Sequence, residues 1–234
     1  TDNTAAQNVA IGMYTASTLT DGTMNTLVGS YAGANLTTGN GNVALGFAAG
    51  CKTTTSGYNV YLGDSAGRNM QTGDYNFAGG YAALHGSGTA ADNTGDYNVA
   101  IGNKAGNVIT TGASNVLIGC KAGDALTSGS GSVAIGQDAL GAEDTRSYAV
   151  AIGYEALKVQ NADFGYNVAI GYQAGSAGSA AGFTGNVFMG YQAGSGFTAG
   201  SDNTAIGMMS YTATSTGSRN TALGGSAGRQ NTGS

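Results

Sequence analysis

The chain has 234 residues, of which 43 are glycine, none is proline or tryptophan, and only 9% are charged. A net charge of −5 with scattered cations excludes the basic stripe that a nucleic-acid partner requires. So much glycine also excludes a helical protein, because each glycine in a helix interior costs about 1 kcal/mol relative to alanine. No apolar run approaches about 18 residues, so we expect no membrane insertion in this segment.

One short phrase recurs along the whole chain and defines a repeat. It is clearest in Asn-Val-Ala-Ile-Gly-Tyr-Gln-Ala-Gly at residues 167–175. We number its first residue position 1; this residue recurs mostly at steps of 17, and the steps of 22, 18 and 19 mark three longer units. A fixed period of this size indicates a repeat array rather than a compact globular domain. The thirteen units start at Asn8, Asn25, Asn42, Asn59, Asn76, Asn98, Asn115, Ser132, Ala149, Asn167, Asn186, Asn203 and Asn220.

Positions 1 to 5 of each unit predict a short strand followed by a turn. Positions 1 to 4 read polar, β-branched, small and aliphatic, which is a period of two. We expect positions 2 and 4 to face the interior and the small residues at positions 3 and 8 to allow close approach of neighbouring chains. Position 5 is always glycine, which adopts positive φ without penalty. These turn glycines are Gly12, Gly29, Gly46, Gly63, Gly80, Gly102, Gly119, Gly136, Gly153, Gly171, Gly190, Gly207 and Gly224.

A second, weaker strand is predicted later in each unit, where an apolar residue near position 12 is followed by threonine and then by glycine. Seventeen residues at about 3.3 Å each span about 56 Å, which suits one narrow coil of two strands and two turns. The predicted fold class is therefore all-β, a β-solenoid (β-roll) of about thirteen 17-residue coils in a single array over residues 1–234. One coil buries too little to offset its ordering entropy, so coils must stack, and we expect lateral homo-oligomerisation.

Two units, the fifth and the tenth, carry insertions, at 84–93 and 176–182. Inserted residues should project from one face, so these loops are the predicted contacts with a host surface receptor or a glycan. Tyrosines that precede position 1 or follow position 5 are predicted to contact glycans, receptors or neighbouring chains. The candidate contact residues are His85, Asp92, Asn93, Ser179 and Phe183.

No catalytic, metal or cofactor site can be assembled from the sequence. His85 is the only histidine, so neither a nucleophile–base pair nor a histidine metal site is indicated. Cys51 and Cys120 fall four coils apart, which is about 19 Å at about 4.8 Å per coil. A disulfide needs Cα atoms within about 7 Å, so we expect two free thiols and no bridge within the chain. The repeated asparagine at position 1 is predicted to be structural, since asparagine tolerates turn conformations and bonds nearby backbone. We therefore expect no enzyme and no cofactor.

The phrase Asn-Val-Ala-Ile-Gly, at 98–102 and 167–171, resembles the head repeats of trimeric autotransporter adhesins (the YadA-like head). Its longer form at 167–175 resembles repeats of phage tail fibres, and the resemblance extends over all thirteen units. It implies a parallel homotrimer of β-rolls that supports attachment from a virion or cell surface. The 17-residue step departs from the adhesin heads and favours the tail-fibre form. The expected function is a non-enzymatic fibre segment of a virion appendage; the alternatives are a bacterial adhesin head and, from the abundant threonine, an ice-binding β-solenoid.

Overall fold

The computed structural model describes residues 5–89, 93–141, 147–159, 165–177, 183–213 and 216–229. These residues form an all-β structure of thirteen parallel strands without a helix, a β-solenoid of about 11 turns. Contacts between Cα atoms divide the chain into two larger parts, each made of several repeats. From here on, the first unit is Thr1–Asn115 and the second unit is Val116–Ser234, and a single period of the sequence is called a repeat.

Each strand has three residues and covers positions 2 to 4 of its repeat, where the sequence predicts it. The first unit contains β1 (Val9–Ile11), β2 (Thr26–Val28), β3 (Val43–Leu45), β4 (Val60–Leu62), β5 (Phe77–Gly79) and β6 (Val99–Ile101). The second unit contains β7 (Val116–Ile118), β8 (Val133–Ile135), β9 (Val150–Ile152), β10 (Val168–Ile170), β11 (Val187–Met189), β12 (Thr204–Ile206) and β13 (Thr221–Leu223).

Within each unit, strands pair in parallel with their neighbours in chain order, position against position. Val9 pairs with Thr26, the equivalent residue of the next repeat. The longer repeats keep this register, since Phe77 pairs with Val99 across the first insertion. Insertions are therefore accommodated outside the strands. The solenoid has about 11 turns, fewer than the thirteen coils predicted.

The return leg of each turn begins with tight β-turns, and the prediction of a second strand near position 12 is wrong, because within the described residues the strands cover positions 2 to 4 alone. In the second repeat, the Ala32 N–H donates to the Gly29 carbonyl and the Ala34 N–H to the Tyr31 carbonyl, both at 3.2 Å. The third residues of these turns, Tyr31 and Gly33, have φ of 62° and 54°, as a type II turn requires. Positions 7 and 9 have positive φ in every repeat, so this part of the return leg is not extended.

Side chains at position 3 of the strands fill the interior. The prediction that positions 2 and 4 face the interior is therefore wrong. From β2 to β13 the position 3 side chain is buried, including Leu27 and Tyr61 at 1% exposure. Position 8, almost always alanine, faces it from the return leg and is buried from the second repeat to the twelfth. Positions 2 and 4 face outward. The small residues thus reflect a narrow interior rather than the approach of a second chain.

Large and small residues complement one another within this interior at positions 3 and 9. Where position 3 is large, position 9 is glycine: a Cβ on Gly67 would lie 2.3 Å from the Tyr61 ring, and one on Gly33 would lie 2.9 Å from Leu27. Where position 9 is large, position 3 is alanine. The large residues at position 9 are Leu84, Leu140, Leu157 and Tyr211. A repeat therefore never carries a large side chain at both positions, which is how a narrow core reaches native packing density without overlap.

Within each unit the glycines at position 5 stack directly on one another. All thirteen have φ between 110° and 140°, a region that other residues avoid. A Cβ on Gly46 would lie 2.4 Å from the Gly63 carbonyl oxygen of the next turn. Glycine is required here both for the backbone conformation and for the spacing between turns.

Candidate interaction surfaces

The asparagines at position 1 form a buried ladder of side-chain amides. Asn25 donates from Nδ2 to Asn8 Oδ1 at 3.0 Å and to the Gly39 carbonyl at 2.9 Å. Its Oδ1 accepts the Asn42 backbone N–H at 2.9 Å and Asn42 Nδ2 at 3.1 Å. Both ends of the amide are thus satisfied within the protein, and Asn25 is fully buried. The ladder is structural, as predicted, and offers no free amide to a ligand.

The insertion of the fifth repeat is organised around Asn93, which is buried. Asn93 Oδ1 accepts the Ser87 N–H at 2.9 Å, and its Nδ2 donates to the Asn69 carbonyl at 3.0 Å and the Ser87 carbonyl at 3.1 Å. His85 is half-buried, with Nδ1 3.0 Å from the Gly86 carbonyl. The Asn93 amide thus holds the insertion against the solenoid, and contact of this insertion with a receptor stays a prediction.

The insertion of the tenth repeat ends at Phe183, which is also buried. Its ring lies 5.8 Å from that of Phe188, which in turn lies 5.8 Å from Phe197. Phe183 therefore belongs to an aromatic column inside the second unit. The other two candidates, Asp92 and Ser179, lie outside the described residues.

Positions 2 and 4 of the strands form what we call the outward strand face of each unit. Its side chains are half-buried to exposed, with Leu45 at 39% and Ile101 at 40% in the first unit and Ile206 at 39% in the second. None of the thirteen strands carries a charged residue. At Gly79, where an aliphatic residue is missing, a Cβ would lie 3.3 Å from the Phe77 ring, so the larger neighbour covers the gap. Contiguous apolar faces of this kind mark interaction sites.

The first unit carries an exposed stack of tyrosines, the first tyrosine ladder, formed by Tyr58, Tyr75 and Tyr97. Each tyrosine directly precedes position 1, and the residue at this place has a positive φ in every repeat. The ring centroids are 5.1 Å apart in both pairs, with interplanar angles of 5° and 2°. The rings are 54%, 49% and 59% exposed. The register of the turns thus brings tyrosines of successive repeats into a parallel stack.

The second unit carries the second tyrosine ladder, formed at position 6 by Tyr154, Tyr172 and Tyr191, with centroids 5.2 Å apart. A polar row at position 7 runs beside it. Gln192 Nε2 donates to Gln173 Oε1 at 2.9 Å, Gln173 Nε2 donates to Glu155 Oε2 at 2.7 Å, and Lys158 Nζ donates to Glu155 Oε1. These donors hold the pKa of Glu155 below its usual value, and the Glu155 charge raises the pKa of Tyr154.

Side chains that could ligate a metal do not cluster in the part of the chain that the structure describes. Within those residues no three His, Cys, Asp or Glu side chains are placed to hold a metal ion. Cys51 and Cys120 are free, and burial raises the pKa of the Cys51 thiol despite the opposing charge of Arg68. Over the same ranges, the structure has no helix with the length and apolar character of a membrane span.

Threonine hydroxyls on the return leg are used within the protein. Thr37 Oγ1 donates to the Thr54 carbonyl of the next turn at 3.1 Å, and Thr54 Oγ1 donates to the Gln71 carbonyl at 3.2 Å. The next member of this row is glutamine, so the row is short. These contacts leave little of the regular free hydroxyl array that ice binding would use.

No protein-family model, curated protein or solved structure matches the chain. The resemblance to adhesin heads and tail fibres therefore depends on the repeat phrase alone. The outward strand face and the two tyrosine ladders are the surfaces on which a function can be proposed.

Proposed function

We propose that the chain is a non-enzymatic structural segment of a surface fibre, in which copies of the chain associate side by side as a homotrimer. The observation that carries the proposal is the outward strand face, which is apolar, uncharged and repeated at every turn. The fibre would serve attachment to a host or another surface.

The bonding between turns supports a mechanical role. In the first unit the Val43 N–H donates to the Asn59 carbonyl at 2.8 Å, and the Gly46 N–H donates to the Val28 carbonyl at 2.9 Å. The same two bonds recur from turn to turn, together with the buried asparagine ladder. To pull two turns apart, all of these contacts must be broken together, and the asparagine amides would lose their partners in a dry interior. Each unit is therefore suited to bear load along the direction in which its turns stack.

The outward strand face fits a second copy of the chain better than other occupants. A partner that bound through charge would find none on these strands. A parallel copy offers the same aliphatic residues at the same spacing, so every turn can meet an equivalent turn. Full burial of a large aliphatic side chain contributes about 1.5–3 kcal/mol, and residues such as Leu45 and Ile101 still have 39% and 40% of their surface to bury. The resemblance of the repeat phrase implies that three copies meet.

The proposed setting is a virion appendage such as a phage tail fibre, outside the cell. A host receptor or glycan is the proposed target of attachment. The head of a bacterial trimeric autotransporter adhesin is the alternative setting, and it uses the same association. A coiled-coil stalk and membrane anchor in the flanking sequence would identify the adhesin.

Sedimentation equilibrium of the wild-type chain and matched lysine variants tests the association. Leu45→Lys with Ile101→Lys places two charges on the outward strand face of the first unit. Thr38→Lys adds a charge at an exposed position of the return leg and is the control. We expect the wild type and Thr38→Lys to sediment as trimers and the double variant to dissociate, because burying an unpaired ammonium group is costly.

Circular dichroism of each variant shows whether the solenoid is retained. A wild-type chain that is monomeric at micromolar concentration would contradict the proposal. An equal effect of the control variant would show that the association does not use the outward strand face.

A further inference from the structure

The two tyrosine ladders have a chemical property that the proposed structural role does not use. Their phenols are stacked in pairs, and they face solvent on the surface of their units. The ladders contain four tyrosine–tyrosine pairs, and Tyr14–Tyr31 and Tyr148–Tyr166 bring the number in the described residues to six. Their ring centroids are between 5.1 and 5.6 Å apart, and five of the six pairs are within 12° of parallel. Adjacent phenol rings therefore lie face to face.

We propose that the stacked tyrosines are sites of oxidative cross-linking, in which Tyr75 is joined to Tyr58 or to Tyr97 as dityrosine. The oxidant is a one-electron oxidant of the kind that a haem peroxidase forms from hydrogen peroxide. The bond ties one turn of the solenoid covalently to the next.

The coupling is a two-electron oxidation of the protein. Each phenol loses one electron and its hydroxyl proton and becomes a phenoxyl radical, whose unpaired spin is shared with the ring carbons ortho to oxygen. Two radicals couple through a carbon–carbon bond between ortho positions, and the two displaced ring protons move to the oxygens and restore the phenols. The protein loses two hydrogens in total, and one hydrogen peroxide is reduced to two waters.

Geometry selects which tyrosines react in this way. Tyr75 is 49% exposed and has a parallel tyrosine on each side at 5.1 Å. Tyr81 is 53% exposed, but the same position in the neighbouring turns holds Asp64 and Asn103, and within the described residues no ring contact is found for it. Both phenols can be oxidised, but only the Tyr75 radical has a partner ring already in place.

The cross-link has a mechanical consequence for the unit that carries it. A bond between Tyr58 and Tyr75 closes a loop of one repeat, and one between Tyr75 and Tyr97 closes a longer loop that includes the first insertion. Closing such loops restrains the unfolded chain, as a disulfide does. The oxidised chain should therefore unfold at higher guanidinium concentration than the untreated chain.

Peroxidase treatment of the intact chain, with Tyr75→Phe and Tyr81→Phe as matched variants, tests the proposal. Phenylalanine keeps the ring in the stack but has no phenol to oxidise. Trypsin separates Tyr58 from Tyr75 by cutting after Arg68, so their cross-link joins the peptides 53–68 and 69–104. Denaturing electrophoresis before digestion separates single chains from chains joined to one another.

We expect the joined peptides in the single-chain band of the wild type and of Tyr81→Phe, and their loss in Tyr75→Phe. Because a tyrosine couples to one neighbour at a time, the six pairs yield at most four cross-links, of which one needs Tyr75; dityrosine fluorescence should therefore fall by about one quarter in Tyr75→Phe and remain unchanged in Tyr81→Phe. An equal fall in both variants would overturn the proposal, as would dityrosine confined to bands heavier than one chain.

Discussion

Removing one amide from the buried asparagine ladder should destabilise the solenoid by an amount that follows from its hydrogen bonds. Asn59 is fully buried in the first unit. Its Nδ2 donates to the Gly73 carbonyl at 2.9 Å and to Asn42 Oδ1 at 3.2 Å, and its Oδ1 accepts the Asn76 backbone N–H at 2.8 Å. Asn59→Ala removes the amide and leaves two buried backbone groups without partners, the Gly73 carbonyl and the Asn76 N–H.

An unsatisfied buried group costs about 1–3 kcal/mol, so Asn59→Ala should lower the free energy of unfolding by about 2–6 kcal/mol. Asn42 Oδ1 is spared, because the Asn59 backbone N–H still donates to it at 3.1 Å. Asn8→Ala is the matched control. Asn8 makes the same kinds of bond, to Gly22 and from Asn25, but it is only half-buried, so water can replace them and the loss should be about 1 kcal/mol.

Hydrogen exchange measured by mass spectrometry is the appropriate assay, because repeat arrays do not always unfold as one cooperative unit. Protection of the peptide that contains Asn76 should fall sharply in Asn59→Ala and little in Asn8→Ala. Protein concentration is held constant, because association would add to the apparent stability. A loss below about 1 kcal/mol in Asn59→Ala, or equal losses in the two variants, would refute the account of the ladder.

Two further predictions concern the turn glycines and the buried tyrosine. Gly63→Ala should lower the free energy of unfolding by about 3 kcal/mol or more, because φ is 131° and the new Cβ would lie 2.7 Å from the Gly80 carbonyl oxygen. Gly88→Ala is the control and should be nearly neutral, since a Cβ there would have nothing within 4 Å. Thermal unfolding of the two variants measures the difference. Burial raises the pKa of Tyr61, so above a pH of about 10 only the unfolded chain loses this proton and stability falls by about 1.4 kcal/mol per pH unit. The Tyr61→Phe variant has no such proton, so its stability should not fall in this way at high pH. At neutral pH the variant should be about as stable as the wild type, because the Tyr61 hydroxyl has no hydrogen-bond partner. Urea unfolding of both proteins at pH 9 and pH 11 measures the difference, and the same pH dependence in both would contradict the prediction.

Several features of the fold could be read from the repeat. The position of each strand follows from the alternation at positions 2 to 4, and the register follows from the recurrence of the phrase, as in the pairing of Phe77 with Val99 across an insertion. The ladder of asparagines follows from the same register. The burial of Asn93 and Phe183 could not be read from the repeat, because it arises where an insertion is tied to the turns from which it departs.

The direction in which each strand faces could not be read from the alternation, because both sides of the strand are apolar. Alanine at position 3 and valine or isoleucine at positions 2 and 4 are equally compatible with burial. One signal in the sequence does bear on the choice. A large residue at position 3, as in Tyr61, is accompanied by glycine at position 9, as in Gly67, and this exchange of volume identifies the pair that shares the interior.

The period, the strands, their parallel register and the glycine corners are all contained in the amino-acid sequence, because they follow from spacing and from local backbone preference. Three other features emerge only when the turns are stacked in space: the β-turns with which the return leg begins, the buried side of each strand, and the pairs of tyrosines that stack. Those outcomes depend on how side chains from different parts of one turn and from adjacent turns share a narrow space, and a pattern along the chain does not contain those distances.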